Sequence, residues 1–240
     1  MKQLLSPRDI LLFETEYGDV WVSAVDSCGG IGTERNDSLQ IDPVITGMAA
    51  ARVALLEIMA AGAKPVFASL AISSGPHTAG PLMEGVRKIL GDALPIVIST
   101  EKNMPTSMTG LGVTVTGLCK KENLRIAHAK AGDILYCAGR PLVGGETLEA
   151  GVTLFDSGHL KALLENKQVH TLLPVGSRGI AAEAEVLAKE SSLKSKLSQN
   201  SAVDLYKSAG PSTCAVFSSD GRAEFKLDLP VFEIGVLLQS

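Results

Sequence analysis

A chain of 240 residues is long enough for one large or two small cores, and 45% hydrophobic with 20% charged residues is the composition of a folded protein, which excludes disorder. A net charge of −4 without a dense run of Lys and Arg excludes a nucleic-acid surface. The longest apolar stretch, 48–63, is broken by Arg52 and Glu57, and the first residues lack the apolar segment of a secretion signal, so a soluble cytoplasmic protein without membrane partners is expected.

Residues 20–25 have the β-branched and aromatic content of a buried strand and run into Asp26 and the turn-prone stretch 27–32. After a polar stretch, Pro43 opens a helix rich in Ala, Leu and Met over 45–61, with Gly62 as its stop. A strand at 66–73, a helix at 80–90 and a strand at 95–99 reaching Glu101 come next. Val and Thr then alternate over 111–118 with the period of a half-buried strand, and 124–128 reads as its partner. This order predicts an α/β layer whose chemistry lies on loops at strand ends.

A composition shift at Ala131, Gly132 and Asp133 sets the expected boundary, dividing 1–132 from 133–240. The second part reads as a smaller α/β unit, with strands at 134–138, 171–175, 213–218 and 225–229 and helices near 159–165 and 180–191. Between them 139–145 is glycine-rich, 190–199 reads as loop, and the lysines of 189–196 suit a solvated helix end. Cys28, Cys119, Cys137 and Cys214 are far apart and do not cluster with His77, His128, His159 or His170, so reduced thiols are expected rather than a zinc site.

Three segments carry candidate chemistry. In Asp26-Ser27-Cys28-Gly29-Gly30-Ile31-Gly32 a carboxylate precedes glycines whose amides can approach an anion or a metal-bound phosphate, and the same residues also suit a tight turn. The Gly-Lys-Ser/Thr ending of a Walker loop is missing. Glu57 is the acidic residue of an apolar helix, either on a solvated face or, if buried, beside a metal or charge partner. Glu101 follows a strand and leads into Lys102 and Asn103, with Lys102 read either as a phosphate partner or as a surface lysine. Carboxylates at Asp26, Glu57 and Glu101 have the chemistry to supply oxygen ligands to Mg²⁺.

The run from Ala24-Val25-Asp26-Ser27 through Asp42-Pro43, Gly47 and the segment Leu55-Leu56-Glu57-Ile58-Met59-Ala60-Ala61-Gly62-Ala63-Lys64-Pro65, then Glu101 and Gly112-Val113-Thr114-Val115-Thr116-Gly117, resembles the PurM superfamily. That superfamily includes aminoimidazole ribonucleotide synthetase, thiamine-monophosphate kinase, selenophosphate synthetase and a hydrogenase-maturation protein. The wording around Asp26 and in Ser208-Ala209-Gly210-Pro211-Ser212-Thr213 is similar to the α-ribazole kinase branch.

The resemblance implies a two-domain fold, an N-terminal mixed sheet with helices that closes a barrel across a homodimer plus a smaller C-terminal α/β domain. It implies ATP and Mg²⁺ as cofactors, a nucleoside-like substrate, and phosphorylation of the 5′-hydroxyl of α-ribazole in cobalamin lower-ligand salvage. Thiamine-phosphate-kinase-like or synthetase-like chemistry, or nucleotide binding without catalysis, are the alternatives. By the same resemblance Asp26, Glu57 and Glu101 stand where the superfamily binds metal. Asp26, Glu101 and Lys102 are the catalytic candidates, with Ser27, Gly29, Gly30, Gly32, Asn103, Arg178 and Gly179 at the nucleotide. Arg178 departs from the pattern, since relatives carry Asp there; it is read as a phosphate ligand or as the partner of Glu183 or Glu185. Residues 210–213 suit an acceptor pocket or a plain turn, and His77 reads as a surface histidine.

Overall fold

Buried and part-exposed side chains alternate along Asp19–Gly29 and Gly110–Lys120, the period of a sheet covered on one face. These two segments pair antiparallel from Asp19 opposite Lys120 to Gly29 opposite Gly110. In chain order the elements are β1 (Lys2–Leu4), β2 (Ile10–Glu14), β3 (Asp19–Gly29), β4 (Ile31–Gly32), β5 (Leu39–Gln40), α1 (Pro43–Ala60), β6 (Lys64–Ile72), α2 (Pro76–Leu90), β7 (Ile96–Thr100) and β8 (Gly110–Lys120). They continue as β9 (Ile134–Gly139), α3 (Ser157–Glu165), β10 (Val169–Pro174), α4 (Gly179–Glu190), β11 (Leu193–Leu197), β12 (Cys214–Ser219) and β13 (Val231–Gln239).

The computed structural model describes residues Met1–Ser240 in two units. The first is Met1–Gln3, Ile10–Ile58 and Ala63–Lys121; the second is Leu4–Asp9, Met59–Gly62 and Glu122–Ser240. The second unit thus begins ahead of the composition shift at 131–133, because Ala129 already sits in its core and Gly132 donates its N–H to the Leu237 carbonyl.

The first unit is a mixed sheet of order β1-β2-β3-β8-β6-β7, with β6 and β7 parallel and β3, β8 and β6 antiparallel. Asp42 caps α1, its carboxylate accepting the Val44 N–H at 2.9 Å, and Pro43 takes the first helical position where no amide partner is needed. α1 is long and apolar enough to cross a membrane, yet 56% of it is buried, with Ala51, Ala54, Leu56 and Ile58 fully enclosed, as in a core helix. The two helices approach closely at Gly85, where a methyl group would collide with the Val44 carbonyl.

The second unit is an antiparallel sheet of order β10-β12-β9-β13-β11. One face packs Leu135, Cys137 and Val216 with Ile180, Ala184 and Leu187 of α4. The other carries Tyr136 stacked on Phe217 at 5.4 Å, with Phe225 edge-on to Phe217 at 4.8 Å.

Four sequence expectations change here. Residues 225–229 form no strand, because Phe225 is held by ring packing and not by a ladder. Residues 124–128 form none either; Arg125 lies in the turn past β8, its N–H bonded to Ala61 O. The presumed loop 190–199 contains β11, and the last strand, β13, starts directly after Pro230. α2 starts at Pro76, ahead of the expected 80, with Pro81 inside it.

Candidate active site

Asp26 lies within β3 and not at its end, since pairing continues to Gly29. It sits opposite Val113 and, by the two-residue period, shares the face of Val20, Val22 and Ala24. The carboxyl is half-buried, and its pKa is pushed up to about 6 by burial, only partly opposed by the Ser27 backbone N–H. No cation contributes to that balance. Next along the same face, the Cys28 thiol is pushed up to about 11 by burial and by the neighbouring Asp26 and Asp37 charges.

Glu101 is placed differently. It follows β7, where the fully exposed side chain folds over its own turn, Oε1 accepting the Asn103 N–H at 2.6 Å and the Met104 N–H at 3.1 Å. Those backbone hydrogen bonds hold its carboxyl below the usual range. Lys102 and Asn103 are exposed beside it. One ladder row runs Cys28, Leu111, Ile72, Thr100 across β3, β8, β6 and β7. Glu101, one residue beyond Thr100, is therefore three strand spacings from β3, roughly 14 Å at ~4.8 Å each. Glu57 is half-buried on α1 between the enclosed Leu56 and Ile58, and it has an interaction partner of its own.

No three His, Cys, Asp or Glu side chains in the chain are gathered to hold a metal ion. A three-carboxylate cage of Asp26, Glu57 and Glu101 within one chain is therefore not the arrangement, because two strands intervene between the first and the last. Among the three, Asp26 is the carboxylate whose pKa burial raises, with no cation among the causes of the shift.

The glycine segment is also more internally committed than its composition suggests. Gly29 pairs with Gly110 in the β3–β8 ladder. The Gly30 N–H donates to Thr109 O at 2.8 Å, and the Gly30 carbonyl accepts from Ser38 at 2.8 Å and Leu39 at 3.2 Å. The Gly30 amide is thus spent within the fold and does not cradle an anion. At Gly32 a Cβ would press on the Thr109 hydroxyl and Asp37 Oδ2, so only glycine fits. Ser27 is exposed on the strand.

Two carboxylates that the sequence reading missed hold this region. Asp37 accepts the Thr109 N–H and hydroxyl, each at 2.7 Å, and the Glu34 N–H at 2.8 Å. Glu34, also buried, accepts the Gly75 N–H at 2.8 Å and the Thr78 hydroxyl at 2.6 Å, capping α2, whose own Gly75 has no side chain to do so. The i, i+3 spacing of two acids in the polar stretch after the glycines was the available signal. Their partners, some 40 and 70 residues on by the hydrogen bonds, were not. Exposed His77 stands 3.6 Å from Glu34.

In the second unit Arg178 sits at the α4 N-cap with Nη2 3.6 Å from Glu183 Oε1 and 3.7 Å from Asp9 Oδ2. Burial raises the Glu183 pKa, and Arg178 partly offsets this. Arg178 thus lies beside Glu183, as one of its two readings expects. Gly179 opens α4, its N–H bonded to Gly176 O. Thr213 accepts the Leu142 N–H at 2.9 Å and donates to Arg140 O at 2.9 Å, so residues 210–213 form a clamped turn.

The sequence matches no family model and no curated protein. Solved structures do match. The thiamine-monophosphate kinase of Stenotrophomonas maltophilia K279a superposes with a TM-score of 0.65 at 16% identity, covering 99% of this chain and 89% of that one. The fold is PurM-like. AaThiL, solved in complex with AMPPCP and TMP, gives a TM-score of 0.65 at 16% identity over 98% of this chain and 85% of that one. PurLQS from Thermotoga maritima gives 0.62 at 14% identity, covering 98% of this chain and 38% of that longer one.

Proposed function

We propose that this chain is a cytoplasmic, ATP-dependent small-molecule kinase of the PurM superfamily that phosphorylates the 5′-hydroxyl of α-ribazole. The observation that carries the reading is Asp26, a half-buried carboxylate with a pKa of about 6 and no cation setting it, on a sheet whose fold is shared with solved kinases. Such a group is stabilised in its charged form by a divalent cation. Mg²⁺ needs only one or two protein carboxylates when phosphate oxygens and water complete its shell, so Asp26 fits an ion that arrives on a nucleotide. When bound, that ion supplies charge neutralisation on the phosphates during transfer. Asp26 supplies the anchoring charge, and Glu57, Glu101, Lys102 and Asn103 are assigned no contact with the ion.

A homodimer is part of the proposal. On the sheet face away from α1, Leu11, Val25 and Val97 are 53%, 65% and 66% exposed, with Phe67 at 40%. The ladder sets two rows there, Leu11-Ser23-Thr116-Phe67 and Val25-Thr114-Ser69-Val97. A second copy laid on these rows removes that apolar surface from water.

The acceptor rests on the resemblance around Asp26 and Gly210, whereas the solved neighbours favour a thiamine-phosphate-type acceptor as the second reading. Incubation with ATP, Mg²⁺ and either α-ribazole or thiamine phosphate, followed by mass spectrometry, decides between them. ADP with α-ribazole 5′-phosphate is expected. A phosphorylated product from thiamine phosphate alone moves the assignment to the second reading, and nucleotide binding without turnover on either removes catalysis.

A further inference from the structure

β11 is the edge of the second unit's sheet, with β13 on one side and no strand on the other. Just beyond it the Ser198 N–H donates to Ile234 O, continuing the register that sets Leu197 opposite Gly235. Inward and outward bonding alternate along an antiparallel strand, so Lys196 and Lys194 share the inward phase of Ser198. The backbone N–H and C=O groups of Leu193, Ser195 and Leu197 therefore point away from β13.

Along that edge, between β11 and α4, runs an open groove of about 670 Å³. Its α4 wall is built from Ala181, Ala182 and Ala188, whose short side chains leave depth beside Leu193 and Leu197. On the rim Lys189 is paired with Glu185 at 2.6 Å and Arg178 lies 3.6 Å from Glu183 and 3.7 Å from Asp9, which leaves Lys194 as the rim cation without a close acid, in a protein whose net charge is −4. Lys194 and Lys196 are exposed on the strand face opposite Leu193 and Leu197.

We infer that this groove binds an extended acidic peptide segment of a partner protein, added to β11 as a further strand. Outward backbone groups supply the pairing, and the space left by the alanine wall accepts the side chains that face α4. Lysines on an edge deter apolar strands from pairing. The same charges favour a segment that carries carboxylates at alternate positions, which face Lys194 and Lys196.

The test uses the full chain and fluorescence anisotropy with a short labelled peptide alternating Glu and Val. Saturable binding that weakens with added salt is expected, with a roughly tenfold or greater loss in Lys194→Glu/Lys196→Glu. Ser195→Pro, which removes an outward N–H while sparing the inward ladder, is expected to lose binding with an unchanged melting temperature. If that variant melts early, a probe N-methylated at alternate residues takes its place and is expected not to bind. Equal binding of a Lys–Val probe, undiminished binding of the N-methylated probe, or no binding at all overturns the inference. So does self-association of the chain that Ser195→Pro abolishes, since the occupant is then a second copy.

Discussion

Asp37 holds Thr109 by both its carboxylate oxygens, Oδ1 on the backbone N–H and Oδ2 on the hydroxyl, across 72 residues of sequence. Burial alone would raise its pKa, but the hydrogen bonds from Thr109 and Glu34 together hold it below the usual range. A carboxyl whose folded pKa is depressed adds stability above its unfolded pKa of about 3.9 and loses it as pH falls through the folded value. Asp37→Ala is expected to cost about 2–3 kcal/mol at pH 7, because two backbone N–H groups and a hydroxyl lose their acceptor. Thermal melting from pH 7 to pH 2 checks this: the gap between wild type and variant should close as the pH drops, and a constant gap would leave the charge with no part in it.

Asp26 should behave with the opposite sign. Its folded pKa of about 6 lies above the ordinary 3.8, so the folded chain binds the proton more tightly than the unfolded chain. The associated stability is full below about pH 4 and lost as pH rises through 6. Asp26→Asn is therefore expected to stabilise the apo protein at pH 8, on the order of 1–2 kcal/mol once part exposure is discounted, with no gain at pH 4. The same variant should lose phosphotransfer. Denaturant melts at the two pH values give the first readout and the kinase assay the second; full turnover by a well-folded variant would remove Asp26 from the site.

The contrast between these acids shows what the chain reveals to a reader of its sequence. Strands β3, β6 and β8 and helix α1 were legible because their signals are local, such as β-branched and aromatic content in β3, Val–Thr alternation in β8, and Ala, Leu and Met between Pro43 and Gly62 in α1; the resemblance to the PurM superfamily leads to the fold observed. Asp26 is expected at a strand end, because Ser27 and the glycines look like a turn, while the ladder to β8 carries the strand on to Gly29. Phe225, Leu227 and Leu229 alternate with charged residues as a strand would, yet ring packing claims Phe225. β11 was hidden for the converse reason, its lysines reading as solvated loop. The distances that dissolve the three-carboxylate cage depend on which strands lie between β3 and β7, a property of topology that residue spacing does not contain.

Arg8 offers the sharpest energetic test of the second unit. Its guanidinium is enclosed, with Nε on Glu190 Oε1 at 2.6 Å, Nη2 on Glu190 Oε2 at 2.8 Å and Nη1 on Leu172 O at 3.2 Å. Thr171 and the Arg125 carbonyl accept from Nη2 as well. Desolvating both charges is costly, so the pair is worth little against an apolar replacement, while removal of one partner strands the other in a dry site. Glu190→Met and Arg8→Met are each expected to cost roughly 3–5 kcal/mol, and the double variant Arg8→Met/Glu190→Met to recover most of it. Denaturant titration of the four proteins closes the cycle. Additive losses in the double variant would mean that Arg8 acts through its bonds to Leu172, Thr171 and Arg125 and not through the charge of Glu190.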